Sequence, residues 1–366
     1  MKIVIIGPFP KPINGCSLAN EILVKQLRFN KNISVNTINT NTENISSENV
    51  GHFSFKKVFS FLKVYKKVSS IKKADVIYTT PGQTFFGVAK YIPFYLFCLL
   101  YKKPYIIHIH GNHLGNEYKS LKGFKKWFFS YFIKRASAGI VLSNSLRNNF
   151  EGLLNQDKVF VVENFAQDEL TQRLEINKSN NKLQLLYLSN LMEEKGILDF
   201  LDSLLLLKKE NIDFTADIAG KIEDESQVKI NNKLVELRDL VKYHGVVFGK
   251  NKIGLLQKSN VFVLPTYYKM EGQPIALIEA MATGNIIVTT NFSGIPDIIS
   301  EENGYFIQPK NPQSIFDIIV NIDKNLEQQI DKYSNWNIKY VIANFTEAQF
   351  AHKILNIIDQ IKKNNE

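Results

Sequence analysis

Two carboxylates stand eight positions apart in residues 267–285, YYKMEGQPIALIEAMATGN: Glu271 and Glu279, with a Gly-Gln-Pro step between them. The apolar run NVFVLP ends at Pro265 just before, and Pro274 suits the first turn of a following helix, where its missing N–H costs nothing. Free amides and the dipole at such a helix start attract an anion such as a diphosphate. Glu279 follows Pro274 by five residues, close enough to reach a ligand held there. A carboxylate at that place accepts two hydrogen bonds from vicinal hydroxyls, as on a ribose. Glu271, in the loop, falls nearer the reacting group, and Gly284 is placed to cap the helix before the next strand. A lone Glu pair is more often an acidic surface helix, so the neighbouring residues decide the reading.

Three other stretches add weight. LSNLMEEKG (188–196) puts Lys195 in a strand-to-helix turn, where an ammonium meets phosphate. FPKPINGCSLANEIL places Gly15 in a loop before a helix, where a backbone without side chain approaches a diphosphate closely. In PYIIHIHGNH, strand alternation sets His108 and His110 on one face and Ile107 and Ile109 on the other, with His110 at the strand's carboxyl end. His108, His110 and His113 invite a metal, but no Cys or carboxylate accompanies them locally. No metal is expected, and His108 reads as a core imidazole.

The elements that must position these residues alternate. KIVIIG, ISVNTI, DVIYTT, PYIIHIH, AGIVLS and KVFVVEN read as strands, separated mostly by helical stretches such as SLANEILVKQL. After the polar stretch 170–182, read as a linker, LQLLYLS, FTADIAG, NVFVLP and NIIVTT read as strands, with GILDFLDSLLLLKK and PIALIEAMATG as helices. This predicts an α/β protein of two Rossmann-like, doubly wound domains with a ligand cleft where strand ends face each other. The final stretch, TEAQFAHKILNIIDQIKK, is amphipathic with a capping-box start and is expected to pack back across that cleft.

A chain of 366 residues exceeds what one core fills, and the charge supports a division. Residues 1–165 hold 23 Lys and Arg against 8 Asp and Glu; the rest hold 22 against 27. Cys16 and Cys98 stand alone and give no disulfide framework. The apolar run before Gly7 is too short for a signal peptide, and YIPFYLFCLLY (91–101) is too short to span a bilayer. A cytoplasmic protein, soluble or peripheral, is expected.

The order of motifs from HGVVFGKNKIGLLQKSNVFVLP through EGQPIALIEAMATGNIIVTTNFSGIPDII resembles retaining glycosyltransferases of the GT-B architecture, family 4. Bacterial members build capsule, O-antigen and exopolysaccharide chains. The resemblance covers nearly the whole chain and implies a domain plan. Residues 1–168 would bind acceptor and 183–345 the nucleotide sugar, with 346–366 as a helix crossing back. It implies that Glu271 lies by the donor sugar and that Gly272, Gln273, Pro274 and Ile275 help hold sugar and phosphate. It further implies that Glu279 binds ribose, Lys195 and Asn190 meet the diphosphate, the Gly15 loop covers it, and His110 contacts the sugar near the reaction centre. Asn190 departs from the family, which has Arg there; an amide brings no charge, so leaving-group stabilisation rests on Lys195 and helix dipoles.

The implied activity moves a hexose or N-acetylhexosamine, with retention, from a UDP- or GDP-linked donor to a hydroxyl of a lipid-linked saccharide. Neither cofactor nor metal is required if cationic and dipolar groups carry the leaving charge. A nucleotide-sugar epimerase of the same fold and a non-catalytic nucleotide-sugar binder at the membrane are the alternatives. Two basic, aromatic stretches, 53–73 and 118–135, suit the inner face of an anionic membrane, where a lipid-linked acceptor lies. No nucleic-acid motif accompanies them, so nucleic acid is not expected as a partner.

Overall fold

The computed structural model describes residues 1–41, 64–171 and 178–365. The chain forms two compact units, Met1–Glu163 with Glu347–Glu366, and Asn164–Thr346. Most of the basic stretch 53–73 and the middle of the polar stretch 170–182 lie outside the described residues.

In the first unit the strands are β1 (Lys2–Gly7), β2 (Ser34–Asn39), β3 (Val76–Thr79), β4 (Tyr105–His108), β5 (Ala138–Val141) and β6 (Val159–Val161). They form one sheet in the order β2-β1-β3-β4-β5-β6, with every pair parallel. The connecting helices are α1 (Gly15–Arg28), α2 (Phe85–Ala89), α3 (Ile92–Leu100), α4 (Leu114–Ser120) and α5 (Gly123–Ile133). β3, β4 and β5 are buried at every residue, which a parallel sheet requires when helices cover both faces.

The second unit begins with the short helix α6 (Asp168–Thr171). Its strands are β7 (Leu183–Leu188), β8 (Phe214–Ala219), β9 (Val241–Tyr243), β10 (Val261–Leu264), β11 (Ile286–Thr290) and β12 (Gly304–Ile307). All pair in parallel in the order β12-β11-β10-β7-β8-β9. The helices are α7 (Ile197–Lys209), α8 (Gln227–Glu236), α9 (Gly249–Lys258), α10 (Ile275–Ala282), α11 (Pro312–Lys324) and α12 (Leu326–Asn344). The strand order reverses between β7 and β10, and in open α/β sheets ligands bind at such a switch point, outside the carboxyl ends of the strands.

The last helix, α13 (Glu347–Lys363), belongs to the first unit and packs on α1. Its apolar face, Phe350, Ile354, Ile357 and Ile358, is buried. At its first residue the buried Glu347 carboxylate accepts hydrogen bonds from Lys25 Nζ (2.8 Å) and Gln26 Nε2 (3.1 Å) of α1.

Three details depart from the sequence reading. β9 (Val241–Tyr243) and β12 (Gly304–Ile307) are short, partly exposed strands that the sequence reading did not find. Pro274 is the N-cap of α10 in extended conformation, one residue before the first turn. The described end of the polar stretch is stapled to the core of the second unit. Lys178 Nζ donates to the carbonyls of Leu256 (2.8 Å) and Gln257 (3.2 Å) at the end of α9, and Asn260 Nδ2 donates to Ser179 O (3.0 Å). Among the described residues no helix is long and apolar enough to cross a membrane.

Candidate functional site

The second unit brings Lys195 and Glu271 together at the switch point. β7 ends at Leu188, and the chain then makes a short turn, Glu193–Lys195, before α7. Gly196 closes that turn at φ +76°, where a Cβ would come within 2.4 Å of the Pro265 carbonyl oxygen. Only glycine permits this close approach of the α7 start to the end of β10. Lys195 Nζ forms a short ion pair with Glu271 Oε2 and lies 5.2 Å from the Tyr268 ring centroid. Thr266 Oγ1 also donates to Glu271 Oε2 (3.1 Å). Glu271 is only 7% exposed, so the pair is held away from bulk water between the turn before α7 and the loop after β10.

The loop carrying Glu271 is held by its own neighbours. Ser293 Oγ donates to the Glu271 carbonyl, Gly294 N–H donates to the Gly272 carbonyl (3.1 Å), and Thr290 Oγ1 donates to Thr266 O (2.5 Å). Gln273 is buried with its side-chain oxygen accepting Asn164 N–H (2.6 Å) and its carbonyl accepting Asn164 Nδ2 (2.7 Å). Its side chain thus fixes the loop to residue 164. α10 then starts at Ile275 and ends in a Schellman motif: Gly284, at φ +72°, donates to Met281 O (2.9 Å), and Asn285 N–H donates to Ala280 O (3.0 Å).

Glu279 is buried in the second turn of α10, 3% exposed, and its Oε1 accepts from Lys252 Nζ of α9 at 2.6 Å. Lys252 Nζ also donates to Gln167 Oε1 (3.0 Å). The sequence reading missed Lys252. In GKNKIGLLQK it looks like one more solvated lysine, and nothing in a linear pattern links α9 to α10. Asn190 is exposed on the loop after β7. Asp199, in the first turn of α7, was also missed. Burial, with Asp202 and Glu193 nearby, pushes its carboxyl up to about 6, and Oδ2 has no hydrogen-bond partner.

His110 and Gly15 belong to the first unit. Gly15 is the first residue of α1, not a loop residue: Asn14 is the N-cap and forms a reciprocal capping box with Ser17, both bonds at 2.9 Å. The loop before it is fixed by Asn20 Nδ2, which donates to Pro8 O (2.9 Å) and Thr80 Oγ1 (2.8 Å). β4 ends at His108 and His110 lies two residues beyond it, not in the strand as expected; the two rings stack, centroids 4.1 Å apart. His108 Nδ1 hydrogen-bonds the Tyr78 hydroxyl (2.5 Å) in the core. Burial pulls the His110 imidazole down to about 4, so it is neutral at pH 7, and its buried Nε2 has no protein partner. His113 turns instead toward Glu117, 3.5 Å away. Among the described residues no group of three or more His, Cys, Asp or Glu side chains is gathered as for a metal ion.

Comparison with known proteins places this geometry. Residues 168–338 match the family described as glycosyl transferases group 1. The amylovoran biosynthesis glycosyltransferase AmsK of Erwinia amylovora is 31% identical over 132 residues, which cover 35% of this chain and 32% of AmsK. The N,N'-diacetylbacillosaminyl-diphospho-undecaprenol alpha-1,3-N-acetylgalactosaminyltransferase of Campylobacter jejuni is 26% identical over 216 residues, 58% of this chain and 53% of the relative. The chain thus spans about a third to a half of the length of these relatives. The crystal structure of Anabaena Alr3699/HepE in complex with UDP shares the fold, with TM-score 0.71 over 98% of this chain and 100% of that one, at 15% identity.

Proposed function

From a chain whose residues 168–338 are a glycosyl transferases group 1 domain and whose two Rossmann-like domains have the GT-B fold, we propose a retaining glycosyltransferase. It moves a hexose or N-acetylhexosamine from a nucleotide-diphosphate sugar to a hydroxyl of a lipid-linked saccharide, in cell-surface polysaccharide synthesis. The polysaccharide-biosynthesis relatives and the UDP in the HepE structure support this reading, as does the undecaprenol-linked acceptor named for the Campylobacter enzyme. The single observation that carries it is the Lys195–Glu271 pair at the switch point, with the buried Glu279 on the helix that follows Glu271.

In this reading Glu279 accepts the ribose hydroxyls, oriented by Lys252. The α7 start, Lys195 and the Asn190 amide meet the diphosphate, and the backbone of Gly272, Pro274 and Ile275 lines the sugar–phosphate path. Glu271 contacts the donor sugar. The anomeric C–O bond to phosphate breaks on the same face on which the acceptor oxygen bonds to that carbon. The acceptor proton passes to the departing phosphate, whose charge Lys195 and the helix dipole stabilise. No step is assigned to a metal.

The test is turnover of a panel of sugar nucleotides with a lipid-acceptor extract. Acceptor-dependent release of nucleoside diphosphate supports transfer. An isomerised sugar nucleotide formed without acceptor would mean an epimerase, and binding without turnover a binder. Glu279→Ala is expected to weaken nucleotide binding in calorimetry; unchanged affinity would remove its ribose role.

A further inference from the structure

A cavity of about 440 Å³ opens in the second unit between α9 and the edge strand β9. None of Lys195, Glu271, Lys252 and Glu279 lines it. Its walls follow from the periods of the two elements. β9 pairs with β8 so that Lys242 stands opposite Asp217. His244, two residues on, falls on the same face and bonds the same carboxylate. On α9, Lys250, Gly254, Leu255 and Lys258 follow at helical spacing and share one flank. Lys252 lies on the other flank, toward Glu279 of α10.

Asp217 organises the cavity. It is 5% exposed, and its two oxygens are both taken. Oδ1 accepts from His244 Nε2 (2.6 Å) and Oδ2 from Lys258 Nζ (2.7 Å). Burial pushes its pKa up, but the hydrogen bonds and charges of Lys258 and His244 outweigh burial and hold the carboxyl below its ordinary value. The carboxylate is thus ionised and fixes two donors in place. Among the described residues, Lys242 and Lys250 form no ion pair. Asp217 is the one carboxylate among the described lining residues, against three lysines, an excess of two positive charges before His244 is counted. Cations gathered without a counter-charge repel one another, and a bound anion relieves that repulsion.

α9 also gives up stability at this place. Glycine weakens a helix interior relative to alanine. A Cβ on Gly254 would meet no atom within 4 Å, so packing does not require the glycine. Its bare backbone leaves the cavity open beside Val247 and Leu255.

We propose that this cavity is a second ligand site, which takes a small organic phosphate: a phosphate monoester whose body is about one sugar ring in size. The dianionic phosphate meets Lys242 and Lys250, with Lys258 and His244 held beside it by Asp217. The body lies against Val247, Leu255 and the Gly254 backbone. Lysine ammonium groups are ready point-charge partners for phosphate. The volume falls within the range of small-molecule pockets, about 300–1,000 Å³, and exceeds what a bare phosphate fills. The site is independent of the sugar-transfer reading, since it uses no residue placed in that reaction.

Calorimetric titration of the full chain with glucose 6-phosphate is expected to show binding at least tenfold tighter than with glucose or inorganic phosphate. Lys242→Gln and Lys250→Gln, both at exposed positions, should each weaken it about tenfold. Gly254→Leu fills the cavity and should abolish binding while the melting temperature is kept. Lys195→Ala should leave binding unchanged, which separates this site from the one proposed for the donor. No binding, or equal binding of glucose 6-phosphate and either control, would overturn the proposal. So would citrate bound as tightly as the phosphate ester, binding that survives both lysine changes, or loss of binding in Lys195→Ala. Should Gly254→Leu fail to fold, the two lysine variants decide the matter.

Discussion

At the scale of residues, the second unit depends on two buried ion pairs. Lys252 and Glu279 are 16% and 4% exposed at their side chains, so removing one partner strands a buried charge. Lys252→Ala is expected to destabilise the protein by about 3 kcal/mol, at the lower end for a broken buried pair because the lysine keeps some solvent. Lys252→Met combined with Glu279→Gln should recover most of the melting temperature yet not the nucleotide affinity. Recovery of both would show that Glu279 has only a structural role. Lys195→Ala is expected to cut turnover about 100-fold through loss of leaving-group stabilisation, with melting temperature and donor binding less affected. Asp199 supplies a pH test. Its folded-state carboxyl is raised to about 6 from an unfolded value near 3.8. The folded protein therefore holds a proton that the unfolded chain has lost, and that contribution to stability is complete below about 4 and disappears as pH rises through 6. Melting curves between pH 4 and 7 should show this fall, and Asp199→Asn should flatten it. His110 acts in the opposite sense, since its pKa is depressed to about 4. Its contribution is present above about 6.5 and lost on acidification toward 4.

At the scale of elements, glycines set the positions of the two helices that carry the site. Gly196 and Gly284 sit at φ +76° and +72°, with a Cβ meeting Pro265 O at 2.4 Å and Ser334 Oγ at 2.3 Å. Each Gly→Ala change is expected to cost about 1–2 kcal/mol in backbone strain alone, before the contacts are relieved. The functional effects should differ. Gly196→Ala displaces the Lys195 turn and should lower nucleotide affinity together with the melting temperature. Gly284→Ala acts at the far end of α10 and should lower the melting temperature with little change in affinity. Equal effects on affinity would mean that the α7 start has no special place in binding. The strands that carry these turns were readable from composition, because a buried parallel strand is a short, nearly continuous run of β-branched and aliphatic residues. The edge strands β9 and β12 are short and only partly buried, and they were not.

At the scale of the whole molecule, the chain leaves the first unit after Glu163 and returns to it at Glu347. Ending the chain at residue 346 removes the apolar face of α13 from α1 and leaves Lys25 and Gln26 without the buried Glu347. Calorimetry should then show the transition of the first unit shifted down while that of the second is kept, since separate cores unfold as separate units. A uniform shift of a single transition would argue for one cooperative molecule. Local pattern alone determined much of this protein. Period-two alternation set His108 and His110 on one face. The Glu271–Glu279 spacing marked a loop and the helix after it, and Gly284 marked that helix's end. These features depend on residues within a turn or two of one another, where backbone geometry leaves few choices. Tertiary structure decided which charges meet. Lys195 and Glu271 are 76 residues apart, and Lys252 reaches Glu279 from another helix across 27. Gln273 was tied to Asn164 across 109 residues. A linear sequence leaves such pairings open because a lysine that neutralises a buried carboxylate has the same local pattern as one that faces water. Only the burial created by packing distinguishes them.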